Sequence, residues 1–446
     1  GQHGATAPAR AATGKSKGNK SLIEQVEVRG RKGSTVASSA TKSDTPLVET
    51  AQSVTVVSRN EMDVRGVLSL NQAVRYAAGI TPDLRGGIGT RYDQFLLRGF
   101  SVPTFLDGLK LQGSPTGYAE AQTDTSRLSR IEILKGPASA LYGQSSPGGL
   151  AALSSKLTTA QRFYGSVNTT GGMFDLYRVD ADVGGFATDN GFVRYRVYGT
   201  ANGQHTQLSK TGSRRFSISP VISVGGDGPT TLTLLGNYQY DPESGTYGGV
   251  PLVGSLKPAS FGYLPRNFYD GDVEVEKFNR KHGAFTYIFN HRFNDDWSFS
   301  SRGRYDDIKV DQRSTYDAGY YSSVDTVPRY AYGTKEHVHN LAFDSQFKGR
   351  VHTGPLTHGL MFGYDYMWQQ ANEIYTQGDA PDLNVLHPNY HMFFAPQDVL
   401  GRYSADSHQI GVYGQDEIRW RGLVLNGSLR NDWYQSHQME HLSGSD

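Results

Sequence analysis

Two hydrophobic textures follow one another along the chain. From Phe163 onward, apolar and polar residues alternate with a period of two in one segment after another. In 231–241, Leu232, Leu234, Tyr238 and Tyr240 share one side, with Thr233, Asn237, Gln239 and Asp241 opposite. Phe285, Tyr287 and Phe289 oppose Thr286, Asn290 and Arg292, and Trp297, Phe299 and Tyr305 oppose Ser298, Ser300, Arg302 and Arg304. Leu360, Phe362, Tyr364, Tyr366 and Trp368 repeat the theme. Successive side chains of a strand point to opposite faces, so these are two-faced β-strands. Their polar face carries full charges and their apolar face is rich in aromatics, which fits a lipid-facing exterior around a wet lumen. A soluble sandwich also alternates, so connection lengths decide. Short turns at 187–191, 225–229, 294–296, 352–355 and 419–422 alternate with long loops at 203–214, 241–274, 316–335 and 376–403. Segregated short turns and long loops mark a transmembrane barrel. About eleven strands are expected between Phe163 and Tyr434.

Before this region the pattern is mixed α/β. Ser58 with Glu61 and Ser69 with Gln72 form S-x-x-E/Q capping boxes. They predict a short helix ending near Gly66 and a second over 69–78, stopped by Gly79. Strands are expected near 54–57, 94–98, 130–134 and 150–154. The first 45 residues are linker-like except Leu22 to Gly30, where Val26 and Val28 alternate with polar neighbours. Gly1 to Lys20 is small, polar and basic without an apolar stretch, and reads as the start of a mature exported chain rather than a signal peptide.

Composition removes several classes. The 44 basic and 43 acidic residues nearly cancel, which argues against a nucleic-acid partner. With no Cys there is no disulfide, thiolate site or cysteine nucleophile. No stretch approaches the ~18 apolar residues of a membrane helix. Phosphate-loop, zinc-protease and nucleophile-elbow patterns are missing, so no enzyme is expected. His337 and His339 share a strand face and His387 and His391 lie in a loop, each pair without a third ligand in register. Asp180-x-Asp182-x-Gly184 lacks the other ligands of a calcium loop. No protein metal site is expected.

Residues 127–155, RLSRIEILKGPASALYGQSSPGGLAALSS, carry the most information. Gly136-Pro137 and Pro147-Gly148-Gly149 stop helices and set tight turns after an alternating strand. The segment resembles the end of the plug domain of TonB-dependent outer-membrane receptors. QSVTVV at 52–57, QFLLRGF at 94–100 and FLDG at 105–108 match the same family in the same order. LKLQG at 109–113, YGQSSPGG at 142–149, YDPESGTYGG at 240–249 and HRFNDDW at 291–297 resemble its ferrichrome-type, hydroxamate-siderophore members.

The resemblance implies an α+β plug domain followed by an antiparallel β-barrel of the 22-stranded type, of which this chain holds about half the strands. It places a flexible N-terminus at 1–45 with a TonB box near 22–30, the plug at 46–160, and the first half of the barrel at 161–446. It implies TonB-dependent transport of a ferric siderophore across the outer membrane of a Gram-negative bacterium, with a periplasmic N-terminus. Iron arrives as cargo, so no cofactor is expected. The chelate would touch Arg98, Gln112, Tyr247, Tyr316, Phe393 and Phe394. Arg suits an oxygen-rich chelate because it offers five fixed donors and keeps its charge. TonB, energised by ExbB and ExbD, would pair with Ile23, Glu24, Gln25, Val26, Glu27, Val28 and Arg29 by strand addition. The remaining expected partner is outer-membrane lipid with lipopolysaccharide, around a monomer. The chain departs from the family pattern at Ser126, Gly249 and Ala318, where that pattern has aromatics; Tyr320, Tyr321 and Tyr330 are candidates to compensate. Other cargo (haem, cobalamin, an oligosaccharide), a signalling receptor, and a passive porin or adhesin barrel are the alternatives.

Overall fold

The computed structural model describes residues 36–37, 42, 45–46, 52–115, 117–143 and 146–441. An N-terminal α/β unit packs inside the curve of a single large antiparallel sheet. The unit's main sheet has five strands: β1 (Ser53–Ser58), β2 (Thr104–Leu106), β3 (Leu109–Lys110), β4 (Leu128–Lys135) and β5 (Gly149–Ser155). Their order is β1-β4-β5-β2-β3, with only β5 and β2 parallel. Ile80–Thr81, Leu96–Leu97 and Phe100–Ser101 make a small second sheet.

Two short helices cover one face. Helix α1 (Arg59–Val64) is capped by Ser58 Oγ, which accepts from the Glu61 amide. Helix α2 (Leu70–Val74) is capped by Ser69 Oγ, which accepts from the Gln72 amide. α2 is shorter than the capping signals predict. The chain leaves the helix at Arg75, and the turn down to Gly79, at φ +85°, is irregular. Met62, Leu70, Ala73 and Val74 from the helices pack on Val57, Ile131, Ile133, Ala151 and Leu153. The opposite face of the sheet presents Leu134, Leu150 and Phe105 to Met361 and Tyr413 of the large sheet. Both faces are thus covered, and β4 is buried without a break from Ile131 to Leu134, Glu132 included. The Pro147-Gly148-Gly149 turn is required by close approach. A Cβ on Gly148 would overlap the Leu97 carbonyl, and one on Gly149 the Leu134 carbonyl.

Among the described residues eleven strands form the wall, each paired with its sequence neighbours. They are β6 (Phe163–Gly172), β7 (Leu176–Phe186), β8 (Val193–His205), β9 (Gly212–Val224), β10 (Thr230–Ser244), β11 (Lys277–Arg292), β12 (Trp297–Asp317), β13 (Thr326–Thr353), β14 (Leu356–Asn384), β15 (Asp398–Trp420) and β16 (Leu423–His441). The sheet is open, with β6 and β16 as its edges. The alternating faces separate as their chemistry requires. Tyr238, Phe285, Phe362 and Tyr364 are exposed on the outside, while Asn237, Gln239, Asp241, Thr286 and Arg304 are buried toward the plug. Water would reject the first set, and hydrocarbon solvates it.

Three of the four expected long loops are shorter than the sequence pattern suggests. Strand pairing continues to Asp317, resumes at Thr326, and runs on to Asn384, leaving 206–211, 318–325 and 385–397 as connections. A transmembrane strand needs ~9–11 residues, whereas β14 has 29. The hairpins therefore project well past any bilayer. Above the hydrocarbon the outward face no longer has to be apolar, and the periodic signal fades while backbone pairing persists. The 245–276 connection remains long.

Candidate functional site

Inside the wall, on the side of the long connections, the plug ends in two segments, 85–94 and 113–122. Arg91 fixes the first. It is fully buried, ion-paired with Glu276 at 2.6 Å, and donates to the Gly245 carbonyl (2.9 Å) and Ser314 Oγ (3.2 Å). Burial pushes the Glu276 carboxyl up, and Arg91 only partly opposes that. A second clamp comes from Arg280 on β11. Its guanidinium pairs with Asp241 at 2.9 Å and donates to the plug carbonyls of Arg91 (2.9 Å) and Glu120 (3.2 Å) and to Gln122 Oε1 (2.8 Å). Asp124 of the plug is gripped by Arg178 at 2.6 Å and by Arg215 at 3.3 Å. Burial alone would raise the Asp124 carboxyl, but the two guanidinium groups outweigh it and hold it well below the usual range.

These clamps present a bowl of about 580 Å³, lined by Arg85, Tyr92, Gln94, Tyr118, Glu120, Tyr247, Tyr316, Tyr330, Tyr332 and Tyr375. That volume is in the range of small-molecule sites. The rings form a continuous palisade. Tyr92 lies 6.0 Å from Tyr247 and 6.5 Å from Tyr118; Tyr332 lies 6.1 Å from Tyr118, 5.7 Å from Tyr316 and 6.3 Å from Tyr375. The exposed Arg85 guanidinium sits over the Tyr247 ring at 4.7 Å. Burial pushes the Tyr247 phenol up to about 12, so it stays a neutral hydrogen-bond donor. Phenols and an exposed guanidinium offer a large, flat-faced, oxygen-rich molecule stacking surface and donors at little entropic cost.

Of the residues expected to bind ligand, Tyr247 and Tyr316 line this bowl. Phe393 and Phe394 line a neighbouring hollow of about 890 Å³ beside 385–397, with Phe393 84% exposed and the Arg329 guanidinium over the Phe394 ring. Arg98 is elsewhere: it is exposed at φ +52° in the turn between Leu96–Leu97 and Phe100–Ser101, beside Gly79 and Gly136. Gln112 does not line the bowl; its main-chain carbonyl accepts from Asn340 Nδ2 at 2.9 Å. The sequence reading missed Arg85, Tyr92, Tyr118, Tyr332 and Tyr375; of the compensating tyrosines it named, Tyr330 is in the bowl. Residues 23–29 lie outside the described residues. The absence of a third ligand for His337 and His339 is also corrected, because strand register sets Asp307 directly opposite His339.

A charged, aromatic mouth over an α/β unit seated inside a wall with an apolar exterior defines the class of plugged membrane barrels. No helix among the described residues is long and apolar enough to cross a membrane; the crossing elements are strands. Residues 46–150 match the TonB-dependent Receptor Plug Domain family, and residues 220–445 match the TonB dependent receptor-like, beta-barrel family. The chain belongs to the TonB-dependent receptors, a family of outer-membrane transport proteins. A ferrioxamine B receptor of Salmonella typhimurium strain SL1344 is 32% identical over 400 residues, covering 87% of this chain and 55% of that receptor. The ferrichrome outer membrane transporter/phage receptor of Escherichia coli K12 is 30% identical over 445 residues, covering 92% and 58%. The chain thus spans little more than half the length of these relatives. In fold it is similar to the ferric-catecholate import receptor Fiu from E. coli in its open form, with TM-score 0.80, 19% identity and coverage of 91% of this chain and 63% of that one. Pseudomonas aeruginosa FpvA bound to a pyoverdine gives TM-score 0.81 at 21% identity, covering 92% and 56%.

Proposed function

We propose that the protein takes up a ferric siderophore of the hydroxamate type across the outer membrane, driven through TonB. The tyrosine bowl over the clamped plug apex carries this reading. Its stacking faces, phenol donors and exposed Arg85 suit a neutral or anionic iron chelate rich in oxygen. The similarity to ferrioxamine and ferrichrome receptors points the same way. Iron enters as cargo already saturated by its chelator, so no resident cofactor is required. Tight capture near ~1 nM corresponds to about 12 kcal/mol, which makes unaided release slow and an energy source necessary.

That energy enters from the periplasm through residues 23–29, pairing with TonB, itself driven by ExbB and ExbD. The plug at 46–160 is the part displaced, and the sheet from 161 onward is the wall. Lys281, Lys309, Lys335 and Arg402, with Lys277 paired to Asp311 at 2.5 Å, line a hollow of about 850 Å³ on the wall. This cationic patch fits the phosphates of lipopolysaccharide.

The test is iron uptake by receptor-deficient cells supplied with this receptor and radioactive iron on ferrioxamine B or ferrichrome, with haem and cobalamin as competitors. Uptake should occur with the hydroxamates, fall at least tenfold in Tyr247→Ala/Tyr316→Ala, and stop in Val26→Pro while binding persists. Transport of haem or cobalamin instead, or full transport in the double alanine variant, would reject the reading.

A further inference from the structure

Asp307, His337 and His339 meet on the outward face of β12 and β13. Asp307 is directly opposite His339 in the ladder, and His337 is two residues along the same strand face. One carboxylate oxygen, Asp307 Oδ2, lies 2.8 Å from His337 Nε2 and 3.2 Å from His339 Nδ1. The two imidazole rings are 4.2 Å apart. The three ligand atoms all lie within 4.8 Å of one another, and the side chains are 35%, 35% and 24% exposed. Ions of the zinc class hold nitrogen and oxygen ligands at ~2.0–2.2 Å in a tetrahedron, which sets ligand atoms ~3.4 Å apart. Shifts below an ångström would bring the cluster to that geometry.

We propose that these three side chains form a binding site for a divalent transition cation, with zinc as the favoured metal. Two imidazoles and a carboxylate are a borderline donor set that selects zinc, nickel or copper over calcium and magnesium. On binding, each imidazole carries its proton on the other ring nitrogen and offers the freed lone pair, so no oxidant or net proton transfer is involved. Tyr305 Oη, 2.7 Å from His339 Nδ1, turns aside or supplies a further oxygen. Lys309 stands across the ladder from His337, and its charge weakens the site. The next hairpin holds an internal control. His408 pairs there with Asp406 at 3.0 Å and with Tyr366 Oη at 2.8 Å, but that cluster has a single imidazole. The site is separate from the tyrosine bowl, whereas His337 also lines the cationic hollow beside Lys309.

The experiment uses the full-length receptor in detergent, without a histidine tag and stripped with chelator. Calorimetric titration with zinc chloride at neutral pH should detect a site that weakens at least tenfold in His337→Gln/His339→Gln and in Asp307→Asn, but not in His408→Gln. Cobalt should give tetrahedral visible absorption in the unmodified receptor and lose it in the double variant. Heat-shifted gel mobility and siderophore affinity report that the variants are folded. Equal zinc binding by the double variant, or none by the unmodified receptor at millimolar zinc, overturns the site.

Discussion

Replacing Arg280 by Met should loosen the plug while leaving the wall intact. Arg280 is fully buried and joins the two parts. In its absence Asp241 keeps Arg215, whose Nε and Nη2 donate at 2.7 and 3.2 Å, so the wall's carboxylate stays paired. The loss falls on the plug, where the carbonyls of Arg91 and Glu120 each lose a donor. An unsatisfied buried carbonyl costs about 1–3 kcal/mol; the Arg91 carbonyl is buried and the Glu120 carbonyl only partly so, which sets the loss at about 2–4 kcal/mol. With a urea dependence of about 1 kcal/mol per molar for a domain of this size, the unfolding midpoint of the plug should drop by about 3 M. The chain has no cysteine, so a single Cys at Ala151, buried in the plug sheet, reports plug opening by thiol labelling across a urea series. Heat-shifted gel mobility follows the wall separately. A midpoint shift under about 0.5 M, or an equal shift of both transitions, would refute the clamp.

Further outcomes follow from the same geometry. Burial pushes the Asp93 carboxyl up to about 6 from 3.8, against a hydrogen bond from Gln122. Its stabilising contribution is thus complete below the unfolded value and lost as pH rises through about 6. Asp93→Asn should remove that part of the plug's pH dependence; parallel stability curves for the two proteins between pH 4 and 7 would exclude it. Lys42 lies buried between Asp344 (3.3 Å), Tyr413 Oη (3.0 Å) and the Tyr142 ring, just after the segment proposed to meet TonB. Lys42→Met should speed tryptic cleavage ahead of the plug several-fold without changing siderophore affinity, and an unchanged cleavage rate would count against an anchoring role. Tyr287→Arg, on the outward face midway between Lys281 and the 293–296 turn, should cost about 2–4 kcal/mol of wall stability, read by heat-shifted mobility; a neutral effect would place that face out of hydrocarbon.

The fold was legible where its signal is local. Alternation within a strand assigns Leu232 and Tyr238 to one face and Asn237 and Gln239 to the other without knowledge of neighbours, and the structure exposes the first pair and buries the second. Strand ends were less legible. The upper parts of β13 and β14 project beyond any apolar layer, so polar residues on both faces read as loop. The site was only partly legible, because it is assembled from segments far apart in sequence. Tyr247 and Tyr316 came from motif resemblance, whereas Arg85, Tyr118 and Tyr375 join them through plug docking and register across three hairpins. Parity on β13 places Tyr330 and Tyr332 on the face of Glu336, and this clue was available in the sequence. Asp307 shows the same limit: its distance to His339 is set by the β12–β13 pairing, which no local pattern specifies.

The central claim is that the aromatic side of the sheet lies in lipid and the polar side against a plug. Nitroxides at Phe285 and Tyr238, compared with Thr286 and Asn237, test it directly by relaxation with oxygen and with a water-soluble nickel chelate in reconstituted membranes. Labels at 285 and 238 should be strongly relaxed by oxygen and hardly by the chelate, while those at 286 and 237 should respond weakly to both. Strong chelate access at 285 and 238, or oxygen access equal at all four positions, would contradict the account.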